Sequence, residues 1–111
     1  MEFEPGSVVL WQGLEGGVGV VKRCEAGIAE ISFAAGRETV KASTVRALVA
    51  GDLVRYSGSG EDIPSDSLGR VTKIAPTGMI TAVFPEGEFT LPYITLAHVN
   101  TKQALRAGYL L

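Results

Sequence analysis

Gly6-Ser7-Val8-Val9-Leu10-Trp11 and Gly51-Asp52-Leu53-Val54-Arg55-Tyr56 open two copies of one pattern. The first continues through Val18-Gly19-Val20-Val21, Gly27 and Ile31-Ser32-Phe33-Ala34-Ala35-Gly36. The second continues through Leu68-Gly69-Arg70-Val71, Gly78 and Ala82-Val83-Phe84-Pro85-Glu86-Gly87. From Gly27 onward the offset holds at 51 residues: Gly27 to Gly78, Phe33 to Phe84, Gly36 to Gly87, Leu48 to Val99. Before that it is 50 at Gly19 and Gly69, and 45 at Gly6 and Gly51. A repeat of this period sets the architecture before any local assignment does. It predicts two copies of one small all-β unit, residues 1–49 and 50–99, followed by a tail over 100–111.

Each unit reads as five short strands. Val8-Val9-Leu10-Trp11 is β-branched and aromatic after Pro5-Gly6, which is a strand signal. The glycine-rich 13–17 stretch is a loop. Val18 to Arg23 is the second strand and Glu25-Ala26-Gly27 a hairpin turn. In Ile28 to Phe33, Ile28, Glu30 and Ser32 fall on one face, and Ala29, Ile31 and Phe33 on the other. Glu38 to Lys41 is a strand, Ser43-Thr44-Val45 a single 3₁₀ turn, and Val45 to Val49 the closing strand. The second unit repeats this over Leu53–Ser57, Leu68–Ile74, Met79–Phe84, Glu88–Leu91, a 3₁₀ turn at Pro92–Thr95, and Leu96–Val99. Five strands with a 3₁₀ turn before the last is the order of an SH3-like barrel, a closed sheet that removes exposed edges. Asn100 is placed to cap a short helix over Thr101–Ala107, ended by Gly108. Tyr109-Leu110-Leu111 then either folds back on a barrel or inserts into a partner.

A unit of about 50 residues is near the lower limit for an independent core. The junction Ala47-Leu48-Val49-Ala50-Gly51 is short and apolar, unlike a flexible linker. Two packed barrels are therefore expected. Ten basic and twelve acidic residues give a net charge of -2. The bases are scattered, which argues against the clustered footprint of a nucleic-acid binder. One cysteine, Cys24, allows no intrachain disulfide. No apolar run is long enough for a membrane-spanning helix. The acidic start Met1-Glu2-Phe3-Glu4 does not read as a signal peptide. The expected compartment is the cytoplasm, or an organelle after loss of a targeting segment, and not the secreted fraction.

The opening Gly51-Asp52-Leu53-Val54, the Ser67-Leu68-Gly69-Arg70-Val71 element, Val83-Phe84-Pro85 and the closing Leu96-Ala97-His98-Val99 resemble the Mind bomb/HERC2-type SH3-like repeats. The first half fits less well, with Ser7 in place of the Asp and Ala34 in place of the Pro. The skeleton also resembles the photosystem I subunit of the PsaE type, the variable chain of ferredoxin-thioredoxin reductase, and KOW or Tudor modules. The resemblance to the first family implies peptide binding. The resemblance to the photosystem subunit implies docking on a large membrane complex.

The catalytic inventory is thin. His98 is the sole histidine and lies in a closing strand; with Cys24 it cannot complete a zinc site. No phosphate-binding glycine motif or nucleophile elbow is present. Glu61, Asp62 and Asp66 cluster in a loop without EF-hand spacing. They read as a solvated acidic loop, a weak cation site, or charges that steer a basic partner. That loop runs 11 residues between Tyr56 and Leu68, against six between Trp11 and Val18. Long loops on rigid barrels collect binding residues. Tyr56 ends the strand before it and Tyr93 sits in the 3₁₀ turn beside Pro92, a pairing suited to an aromatic peptide groove. Trp11 is the first unit's counterpart of Tyr56. Phe33 and Phe84 read as core.

The expected function is a non-enzymatic protein- or peptide-binding module without cofactor or metal. Its partner-binding residues are Trp11, Tyr56, Glu61, Asp62, Pro92, Tyr93, Tyr109, Leu110 and Leu111. A peripheral subunit of a large, photosynthetic or organellar assembly is the alternative. A KOW/Tudor-like nucleic-acid or ribosome-associated module is a third reading.

Overall fold

The structure, a computed structural model, describes residues 3–11, 17–58, 60–76 and 78–99. The expected helix over 101–107 and the Tyr109-Leu110-Leu111 tail lie outside the described residues. The first unit comprises β1 (Val8–Trp11), β2 (Gly17–Glu25), β3 (Ile28–Phe33), β4 (Gly36–Lys41), a 3₁₀ turn (Ala42–Thr44) and β5 (Val45–Ala47). The second comprises β6 (Leu53–Tyr56), β7 (Leu68–Ile74), β8 (Met79–Phe84), β9 (Gly87–Pro92), a 3₁₀ turn (Tyr93–Thr95) and β10 (Leu96–Val99). The two antiparallel five-stranded sheets have orders β4-β3-β2-β1-β5 and β9-β8-β7-β6-β10, which is the same order in repeat numbering. The fold is all-β, two small barrel-like units packed together.

The repeat holds to the residue. Val9 pairs with Gly19 and Val54 with Gly69. Trp11 pairs with Val45 and Tyr56 with Leu96. The register shifts between Val21 and Arg23, and again between Val71 and Lys73. A β-bulge at one position in both copies bends each sheet in the same place. Each 3₁₀ turn is tied down twice: Thr44 and Thr95 hydroxyls donate to the carbonyls of Lys41 and Pro92. The amides of Ala42 and Tyr93 donate to the carbonyls of Gly27 and Gly78 at 2.9 and 2.8 Å.

Alternation fixes which face is buried. In β3, Ala29, Ile31 and Phe33 are buried while Ile28 is exposed. They join Val9, Val21, Val40 and Val45 in the first unit's own core. A second, larger core collects Val54, Val71, Ile80, Ala82, Phe84 and Leu96 from inside the second unit. It also takes Val8, Leu10, Val18, Val20 and Leu48 from the outer face of the first unit's sheet. The first unit therefore buries both faces of β1 and of the first half of β2. Burying an aliphatic side chain contributes ~1.5–3 kcal/mol. Five of them contribute on the order of 10 kcal/mol as an upper bound, similar to the whole stability of a small domain. The connecting segment is pinned as well. Gly51 N–H donates to Val71 O at 2.8 Å, and Arg46 forms an ion pair with Asp52 at 3.1 Å.

Candidate functional site

The turn between β7 and β8 and the 3₁₀ turn before β10 form the surface by which the second unit seats on the first. Gly78 has φ +84°, and a Cβ there would lie 2.7 Å from the Tyr93 ring and 3.0 Å from Val20 Cγ2. Only glycine fits between the ring and the other unit's sheet. The Tyr93 hydroxyl lies 3.0 Å from Ser32 Oγ of β3, so the ring's polar tip bonds across the junction. The same surface exists in the first unit in altered form. Its glycine, Gly27, has φ +79° but open space where a Cβ would go. Ala42 stands at the Tyr93 position. Ile28 is 45% exposed there. A cavity of about 590 Å³, open to solvent, is bordered by Phe3, Ile28, Lys41, Ala42, Ser43 and Val45. On the other side of Ile28 a smaller hollow of about 340 Å³ is lined by Arg23, Glu25, Glu30 and Thr39. One copy of the surface is thus occupied by protein, and the other presents an apolar groove beside the edge strand β4.

The residues expected to bind a partner through the second unit are mostly committed to the fold. Tyr56 is buried at 6% exposure in the shared core rather than lining an open groove. Its hydroxyl accepts from Gly60 N–H at 2.9 Å. Tyr93 is half-buried in the junction, and the two tyrosines do not form an open aromatic pair. The physical reason is the same for both: each ring is covered, by the loop at Tyr56 and by the first unit at Tyr93. The loop after Tyr56 is not a loose insertion either, since Ile63 from its middle is 3% exposed in the shared core. Glu61 and Asp62, which precede Ile63, are exposed. Pro92 ends β9 and is partly buried. Trp11 is partly buried against Phe33, ring centroids 5.7 Å apart. Tyr109, Leu110 and Leu111 lie outside the described residues. The first unit's groove was legible in one signal: Ile28 is an apolar residue on the Glu30–Ser32 face of β3.

The junction carries one electrostatic cluster. Arg46 reaches Asp52 with both guanidinium nitrogens, at 3.1 and 3.2 Å, and lies 3.4 Å from His98 Nε2. Val49 N–H donates to Asp52 Oδ2 at 2.9 Å. Burial works to raise the Asp52 pKa, but hydrogen bonds from Arg46 and Val49 and the charges of Arg46 and His98 outweigh it, so the pKa is lowered. For His98, burial and then the Arg46 charge favour the neutral ring against the pull of Asp52, and its pKa is lowered. Cys24 is a free thiol, partly buried. Among the described residues no group of three or more His, Cys, Asp or Glu is placed to hold a metal. Every buried side-chain nitrogen and oxygen among them has a partner. No helix of the described residues is long and apolar enough to cross a membrane.

No protein-family profile matches the chain, and no curated protein matches it in sequence.

Proposed function

We propose that the chain is a non-enzymatic protein-binding module whose docking site is the groove at Phe3, Ile28, Ala42 and Val45 in the first unit. One observation carries the reading. The equivalent surface of the second unit is already seated on protein, through Gly78 and Tyr93 against Val20 and Ser32. The first unit's copy has the same backbone frame and an apolar lining. Replacement of the tyrosine by Ala42 turns a knob into a recess, which suits a partner that supplies the apolar side chain itself. Lys41 at the rim favours an acidic residue flanking that side chain.

The charge pattern favours protein over nucleic acid. Arg23, Arg37, Arg46 and Arg55 each lie within ion-pair distance of an acid. A phosphate-tracking surface requires unneutralised cations in a row.

Selection of binders from a random peptide library displayed on phage tests the proposal. Peptides with an apolar residue beside an acid should be enriched, and Ile28→Glu should weaken their binding by about tenfold or more, as loss of a central anchor does. Ile28 is exposed, so the variant should keep its fold. Enriched peptides that bind the Ile28→Glu protein unchanged would place the site elsewhere.

A further inference from the structure

Two polar contacts cross the junction between the units. One joins Tyr93 to Ser32. The other joins Arg46 of β5 to His98 of β10, with guanidinium Nη2 3.4 Å from ring Nε2. A guanidinium has donors and no lone pair to offer. The ring nitrogen must therefore accept, so Nε2 is bare and the neutral ring carries its proton on Nδ1. Arg46 also reaches Asp52 with two nitrogens and donates to Ala47 O at 3.0 Å. Asp52 in turn accepts the Val49 N–H. The contact thus fastens the connecting turn over residues 48–52 to β10.

We propose that His98 is a proton-operated latch on the junction: the neutral ring holds Arg46 across the two units, and a proton taken from solvent onto Nε2 releases it. Protonation removes the acceptor and sets two cations side by side. The elements packed against β10 supply little to offset this. β6 places Val54 opposite His98, while Arg55 stands beside Ala97 and pairs with Asp66. β2 gives Val18 and Val20 to the shared core, and its Lys22, Arg23 and Glu25 lie in its exposed half, Arg23 paired with Glu25. The 3₁₀ turn before β10 brings Tyr93, whose hydroxyl is at Ser32. Among the described residues the charges acting on the ring are those of Arg46 and Asp52. Burial and Arg46 outweigh the pull of Asp52, so the closed latch resists the proton. It is fully closed above pH 6.5 and opens as pH falls from there toward the native pKa. The shared core and the Tyr93–Ser32 bond keep the units docked while the turn is released. The latch is independent of the first unit's groove.

Nuclear magnetic resonance of the full chain tests it. Above pH 6.5, long-range ¹⁵N–¹H spectra of the His98 ring should show Nδ1 protonated and Nε2 bare. Nuclear Overhauser contacts from the ring to the Arg46 methylenes should be present there. They should vanish along the ring's own titration, while the Val54 and Leu96 methyl signals stay native. His98→Gln keeps an oxygen acceptor that takes no proton in this range, so contacts from its side chain to Arg46 should persist throughout. Arg46→Met should remove the Nδ1–H preference and raise the His98 pKa. A neutral ring protonated on Nε2 overturns the proposal, as does an Nδ1–H preference unchanged in Arg46→Met. Contacts to Arg46 that survive in the protonated ring overturn it too.

Discussion

Two glycines show how far single residues decide this fold. A Cβ on Gly69 would lie 2.8 Å from the Phe84 ring, and one on Gly19 would lie 2.5 Å from Ile31 and 2.7 Å from Phe33. The phenylalanine of each unit lies flat on its neighbouring strand because that strand has no side chain there. Gly69→Ala should destabilise the protein by about 1–3 kcal/mol, the cost of overpacking a filled core, as read from urea unfolding. A change within ±0.5 kcal/mol would mean the ring has room to move. Tyr93 is decided by its polar tip. Tyr93→Phe leaves Ser32 without its partner and should cost about 0.5–1.5 kcal/mol. In a double-mutant cycle with Ser32→Ala, a coupling near zero would remove the bond from the account. His98 carries a pH dependence. Its native pKa lies below 6.5, so the unfolded chain binds a proton first as pH falls. The stability present above pH 6.5 is lost as pH falls from there toward the native pKa. The lowered Asp52 pKa adds a second loss, starting below pH 3.8. His98→Gln should flatten the upper step and reduce the lower one, because the His98 charge helps to hold the Asp52 pKa down, measured as unfolding midpoint against pH.

Among the elements, the strands were legible and the long loop was not. β3, β7, β8 and β10 begin and end where alternation and the flanking turns put them, because period-two burial leaves one register that hides Ile31, Phe33, Ile80 and Phe84. The 3₁₀ turns were legible from the repeat, but the first spans Ala42–Thr44 rather than Ser43–Val45, and the second starts at Tyr93 rather than Pro92. Tyr56 and Tyr93 misled for a physical reason. An amphipathic ring at a strand end reads equally as an interface residue or a covered one, and the covering groups come from segments distant in sequence. The loop after Tyr56 reads as polar, yet Ile63 anchors it in the shared core. Ile63→Ala should therefore cost about 2–5 kcal/mol, whereas Glu61→Gln and Asp62→Asn should each stay within about ±0.5 kcal/mol. Equal, small effects at all three positions in thermal melts would mean the loop is a passive insertion. The junction was partly legible: Val8, Leu10, Val18 and Val20 are apolar at outward positions where the second unit has Arg55 and Arg70.

At the scale of the whole molecule, the two units are one body because they share a core, not because a chain links them. Val8, Leu10, Val18, Val20 and Leu48 join residues of the second unit in one core, and Tyr93 of the second unit finds its hydrogen bond on the first. The same head-to-tail logic leaves one copy of the surface filled and the other, at Ile28, open. Urea unfolding of the intact chain, followed in one sample by two probes, tests this shared core most directly. Fluorescence of Trp11, the sole tryptophan, reports the first unit, and the methyl signals of Ile80 report the second. The account predicts one transition, with the two midpoints coincident and a single slope. Two separated midpoints, with Ile80 keeping its native signal after Trp11 has unfolded or the reverse, would show that each barrel stands alone and would contradict it.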